Sequence, residues 1–159
     1  MLRAISKIRT RTSGGSFAIV AAKYNGRYVE GMIRAARNEI DGSSSRLEII
    51  RVPGSFEIPV VAAQLAQTRP NQLSAIICFG VIFQGETSHA QLIGEAISHA
   101  LAQIQVNFRI PVIHGVFVFQ NRDQARVRCL GKTHNRGTEA ARTALAMARV
   151  MKDLESLKF

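Results

Sequence analysis

The stretch that most constrains this chain is an unbroken apolar run, Ala75–Phe83 (AIICFGVIF), that stops abruptly at Gln84-Gly85. A run of this length bounded by glycine reads as a strand covered on both faces, and such strands belong to parallel sheets. The chain then turns polar at Glu86-Thr87-Ser88-His89 and enters a long segment of helical periodicity. Thr87 and Ser88 are N-cap candidates for that helix. A strand feeding a helix through a small polar turn presents open backbone N–H groups at the carboxyl edge of a sheet, where an anion is favoured. His89 stands beside them in the first turn.

Three more strands follow the same logic: Phe17–Ala22, Leu47–Val52 and Pro111–Phe119. Between them, Tyr28–Ile40, Glu57–Gln67 and Ser88–Val106 place apolar residues at helical spacing, and Thr138–Leu157 does so after the last strand. Pro59 falls in the first turn of its helix, where proline is tolerated. Gln120–Gly131 reads as a loop containing a short helix. Strand–helix alternation repeated four times specifies a three-layer α/β/α sandwich: a central four-stranded parallel sheet, doubly wound and flavodoxin-like, with right-handed crossovers. So narrow a sheet leaves edges to be covered or paired, which favours oligomerisation.

The expected organisation is a basic arm over residues 1–16 and one domain over 17–159. The arm carries Arg3, Lys7, Arg9 and Arg11 without an acid, and the chain as a whole carries a formal charge of +10. A short Ser/Thr-rich basic start resembles an organelle transit peptide in composition, but a strand follows it almost at once, and a solvated arm is the simpler reading. The remaining excess charge lacks the interleaved aromatics of a nucleic-acid platform, so nucleic acid is not the expected partner. No apolar stretch approaches the roughly 20 residues a membrane span needs. Cys78 and Cys129 read as buried or free thiols of a reducing, cytoplasmic compartment, not as a disulfide or a metal site.

Ligands of open parallel sheets bind outside the carboxyl ends of the strands. Here those ends carry Tyr24-Asn25, Pro53-Gly54-Ser55-Phe56-Glu57 and Gly85–His89, with His114 in the middle of the fourth strand. An aromatic face, a carboxylate, open turns and an imidazole together suit a planar polar heterocycle next to an anion. Singly, each has a plainer explanation. Tyr24 could be a surface aromatic, Glu57 a complement to its helix dipole, and His89 a capping residue. His99, deeper in the helix, reads as structural. The turn lacks the spacing of generic phosphate loops, and the Glu86 side chain must point away from any anion.

The order and spacing of these groups resemble the lumazine synthase family over Phe17 to about Met151. The carriers are Lys23-Tyr24-Asn25, Val52–Pro59 (VPGSFEIP), Gly80-Val81-Ile82, Gly85–His89 (GETSH), Pro111-Val112-Ile113, and Arg128 with Gly131-Lys132 and Asn135-Arg136-Gly137. The resemblance implies condensation of 5-amino-6-(D-ribitylamino)uracil with 3,4-dihydroxy-2-butanone 4-phosphate, giving 6,7-dimethyl-8-ribityllumazine, phosphate and water, without metal or organic cofactor. Tyr24 would stack on the pyrimidine, where the family has Phe or Trp. Asn25, Ser55 and Glu57 would hold the ribityl chain, and backbone around Val81 and Ile82 would read the uracil edge. Gly54, Phe56 and Phe83 join the substrate-binding set from the same segments. Gly85, Glu86 and Thr87 would present donors to the phosphate and Arg128 would pair with it. Lys132 and His114 would come from a neighbouring subunit. His89 would be the general acid/base, since an imidazole titrates near 6.5.

The resemblance also implies a homo-oligomer: a pentamer, in some members packed as a hollow sixty-subunit shell, with riboflavin synthase as a possible partner. The loop before the last helix lacks the insertion of free pentamers, which favours the shell, while His134 in place of glycine weighs against it. Ala90 stands where the family has Phe or Tyr, and His114 where it often has Phe. Two other readings keep the same residues: a lumazine- or flavin-binding relative without turnover, and a basic shell protein that binds nucleic acid through the arm.

Overall fold

The computed structural model describes residues 14–157, so most of the basic arm lies outside the described residues. Four strands, β1 (Ser16–Ala22), β2 (Arg46–Val52), β3 (Ala75–Phe83) and β4 (Val112–Phe119), form one parallel sheet in the order β2-β1-β3-β4. Five helices flank it: α1 (Gly26–Asp41), α2 (Ile58–Thr68), α3 (His89–Phe108), α4 (Arg122–Leu130) and α5 (Arg136–Ser156). Helices α1, α4 and α5 cover one face, and α2 and α3 the other. This is the expected doubly wound three-layer sandwich.

The apolar run sits where its composition requires. Alternate β3 residues Ile77, Phe79 and Val81 enter the core under α1, while Ile76 and Cys78 enter the core under α2 and α3. A side-chain period of 2 thus serves two cores at once, which is why the run has no polar alternation. The edge strand β2 is only partly buried and carries charges instead. Its Glu48 pairs with Arg69 beyond α2, and its Arg51 with Glu30 of α1. Exposed pairs of this kind stabilise little, but charged side chains discourage further strand pairing at an open edge.

The helices differ from the expectation at their ends. A single 3-10 turn, Ser55–Glu57, precedes α2 and replaces the expected start at Glu57. Ser88 is the N-cap of α3 but makes no side-chain cap; the Thr87 hydroxyl instead accepts from the His89 N–H at a long 3.4 Å. The short helix within 120–131 is α4, capped by Asn121, whose Oδ1 accepts from the Gln124 N–H at 2.9 Å. Two helices therefore follow β4, and the pattern is not a plain fourfold repeat. Buried Asn135 joins them: its amide donates to the carbonyls of Cys129 (2.8 Å) and Gly131 (3.2 Å), and its Oδ1 accepts from the Gly137 N–H (2.8 Å). A Cβ at Gly137 would fall on the Met32 carbonyl, so α5 crosses α1 at backbone contact.

Both cysteines are free and buried, as expected. Burial pushes the Cys78 thiol up to about 12. It does the same at Cys129, to about 12, against the opposing pull of Arg136 and Arg128. Neither is a thiolate at neutral pH.

Candidate active site at the carboxyl edge of the sheet

The strand order places the reversal of winding between β1 and β3, the position where such sheets open a crevice. Three kinds of contact hold the strand exits together there: backbone to backbone, side chain to backbone, and steric. Beyond β1 and β2, the Lys23 N–H donates to the Val52 carbonyl (2.8 Å) and the Tyr24 N–H to that of Pro53 (3.1 Å). Asn25 then turns the chain into α1 in the left-handed region, φ 55, which Asn tolerates better than most residues. Its amide reaches across to donate to the Val81 carbonyl at 2.7 Å. The third contact is steric: a Cβ at Gly80 would overlap Ser55 Oγ, so glycine lets the Gly54–Glu57 turn lie directly on β3.

Within that turn the Glu57 carboxylate accepts from the Gly54 N–H at 2.9 Å, which fixes the carboxylate beside the strand end. Tyr24 and Phe56 stand 74% and 61% exposed on the shelf so formed. Exposed apolar surface gathered beside a crevice marks a candidate binding surface. Phe83 is packed edge-on against Tyr28 (5.5 Å between centroids) and lies under the Arg122 guanidinium at 5.9 Å. Gly85–His89 is exposed throughout. The uncapped first turn of α3 adds open N–H groups and the positive end of a helix dipole.

The structure thus gathers Tyr24, Asn25, Gly54, Ser55, Phe56, Glu57, Val81, Ile82, Phe83 and Gly85–His89 at one edge. Of the other three expected residues, His114 lies well back from that edge. His114 is in register with Cys78, five residues short of the Phe83–Phe119 pair that ends the ladder, or about 17 Å back along the strand. Arg128 is in the last turn of α4. Lys132 lies in the α4–α5 loop, in a concavity of 430 Å³ shared with Arg27, Arg126 and His134. Among the described residues no hydrogen bond or ion pair ties these three to the Gly85–His89 turn.

His114 is committed elsewhere in its own chain. The Ser98 hydroxyl lies 2.7 Å both from the Gly94 carbonyl, to which it donates, and from His114 Nε2. Nε2 therefore carries the hydrogen, and Nδ1 is left to accept weakly from the Val116 N–H at 3.4 Å. His114 remains exposed, but partial desolvation of its ring lowers its pKa, offset in part by a hydrogen bond to its own backbone. Its ring also borders a groove of 520 Å³ along β4 and α5 that includes Ile113, Phe117, Arg136, Met147 and Met151. A second groove of 520 Å³ lies between α3 and β4. The first mixes apolar residues with Arg109, His114, Arg136 and Glu139 and does not include His89, whereas the shelf carries the exposed aromatics, the Glu57 carboxylate and the open turn.

Two contacts at the edge were not visible in the sequence: the placement of Arg122 over Phe83, and the reach of the Gln84 amide into the turn that follows it. A cation one turn after a strand end is the only signal that could have suggested the first.

The sequence profile of the 6,7-dimethyl-8-ribityllumazine synthase family matches residues 14–152. The chain belongs to that family. It is 32% identical over 141 residues to 6,7-dimethyl-8-ribityllumazine synthase of Stenotrophomonas maltophilia strain R551-3, covering 87% of this chain and 90% of that protein. The synthase of Xanthomonas euvesicatoria is 31% identical over 144 residues, with 89% and 92% covered. That of Coxiella burnetii is 30% identical over 146 residues, with 90% and 95% covered. Membership in the lumazine synthase family makes the chain an enzyme of the transferase-type condensation in riboflavin biosynthesis. No described helix is long and apolar enough to cross a membrane.

Proposed function

We propose that the chain condenses 5-amino-6-(D-ribitylamino)uracil with 3,4-dihydroxy-2-butanone 4-phosphate, releasing 6,7-dimethyl-8-ribityllumazine, phosphate and water. The observation that carries this reading is the shelf itself: exposed aromatics and a fixed carboxylate on one side, open N–H groups and an imidazole on the other. Tyr24 stacks on the pyrimidine; Ser55 and Glu57 take the ribityl hydroxyls. Asn25 contributes its Oδ1, because its amide nitrogen is already engaged with Val81. That bond uses one lone pair of the Val81 carbonyl, so the Ile82 backbone carries more of the uracil edge. Gly54, Phe56 and Phe83 shape the floor.

The phosphate sits over Gly85, Glu86 and Thr87 at the start of α3. His89 moves the protons: onto the carbinolamine oxygen as the imine forms and water leaves, then off carbon as phosphate is eliminated. Holding two substrates in contact supplies much of the acceleration, because the reaction is bimolecular. No metal or organic cofactor takes part.

Arg128, Lys132 and His114 act from a second copy. In its own chain His114 lies off the shelf, while the groove beside it offers a surface for another copy's shelf. This supports a cyclic homo-oligomer, a pentamer or a shell of pentamers, that meets riboflavin synthase as a partner and works in the cytoplasm.

The test is a steady-state assay of lumazine formation from the two named substrates with wild type and Arg128→Ala. Turnover in the wild type that collapses in the variant, chiefly through the KM of the butanone phosphate, supports enzyme and phosphate site together. A wild type without turnover that still binds riboflavin-like ligands sinks the reading in favour of a binding protein.

A further inference from the structure

We infer that Gln84 is a positioning residue that aims the backbone of the Gly85–Ser88 turn at the phosphate; the inference rests on the phosphate site proposed above. Gln84 is the first residue after β3, and its own N–H still extends the ladder, donating to the Phe119 carbonyl at 2.8 Å. Its side chain therefore starts from a fixed backbone. From there Nε2 curls forward and donates to two carbonyls of the turn, Gly85 at 3.2 Å and Thr87 at 2.8 Å.

A trans peptide points its C=O and the following N–H in opposite directions within one plane. Capturing the Gly85 carbonyl turns the Glu86 N–H away from Gln84, and capturing the Thr87 carbonyl turns the Ser88 N–H the same way. Neither N–H has a partner among the described residues. One amide thus withdraws two acceptors, which would repel an anion, and leaves two donors pointing outward at the N-terminus of α3. Pre-aimed donors lose little order when the anion arrives. The arrangement also accommodates Glu86 beside an anion: its N–H is used and its carboxylate projects into solvent.

Gln84→Met keeps the length of the side chain and its neutrality but removes the donors. Gln84→Asn keeps the amide and shortens the reach. Wild type and both variants are compared in three measurements: the Kd of inorganic phosphate by calorimetry, the KM of each substrate, and the midpoint of thermal unfolding. Both variants should bind phosphate about tenfold more weakly and raise the KM of the butanone phosphate by a similar factor. The KM of the pyrimidine should stay within about twofold and the unfolding midpoint should not move, since the side chain is half-exposed and its bonds are local.

Unchanged phosphate binding in the variants, a wild type that binds no phosphate, or a parallel rise of both KM values would overturn the inference. If phosphate binding falls but the wild type makes no lumazine, the role of Gln84 stands and the proposed reaction does not. If the wild type makes lumazine and the variants bind phosphate normally, the reverse holds.

Discussion

Asn25 and Val81 meet across the crevice, side-chain amide to main-chain carbonyl at 2.7 Å, although 56 residues separate them in sequence. The bond holds the exit of β1 against the exit of β3, and Asn25 makes it from a left-handed backbone. Asn25→Gly should cost about 1 kcal/mol of stability, the net value of one hydrogen bond. Asn25→Ala loses the same bond and adds a left-handed penalty of about 1 kcal/mol more. Urea midpoints of the three proteins test the order; an alanine variant as stable as the glycine variant would rule out the backbone half of the argument.

Gly80 admits the Ser55 turn to β3. Gly80→Ala should cost about 1–3 kcal/mol through overpacking, because the new methyl meets a turn anchored at both ends. It should also raise the KM for the pyrimidine more than that for the butanone phosphate. Equal changes in the two KM values would mean that the turn does not hold the ribityl chain.

His114 supplies a pH dependence whose sign follows from its lowered pKa. Well above the ordinary histidine pKa of about 6.5 the ring is neutral in both folded and unfolded chains and contributes no slope. Below that, the unfolded chain takes up a proton that the folded chain resists, so stability falls as pH falls towards the folded value. His114→Gln keeps a donor for Ser98 and removes the titration. The loss of stability between pH 7 and 5.5 should be smaller in the variant than in the wild type, and an equal loss would assign the slope to other groups.

His89→Ala should lower kcat by about a hundredfold and leave residual turnover, since an isolated general acid/base contributes about 10²–10⁴ and proximity persists without it. Single-turnover kinetics with both substrates saturating give the number. A variant within a few fold of wild type would move the proton transfers to water or to the substrates.

Much of this arrangement can be read from residue order, and its limits are physical. Ala75–Phe83 is legible to the residue because both its faces are buried and its ends are polar. The Gly85–His89 and Gly54–Glu57 turns are legible because parallel strands bring all their carboxyl ends to one edge. Helix starts are not, because the 3-10 turn at Ser55–Glu57 and the uncapped Ser88 depend on what packs behind them. The commitment of His114 to Ser98 is a contact between a strand and the helix before it, and no local periodicity encodes it. The same holds for Gln84, whose type suggests only a polar turn residue.

The sheet order also bears on how such a site comes into being. β1 is made first, but its neighbours are β2 on one side and β3 on the other, so the crevice between β1 and β3 closes only through a distant pairing. Loops of that length are slow to close and are rewarded only when the far strand docks. A chain emerging from the ribosome can pair β1 with β2 and still have no crevice. Catalytic competence should thus appear late, only after the Ala75–Phe83 segment inserts and a second copy docks, so a recovering activity would trail the return of helix content.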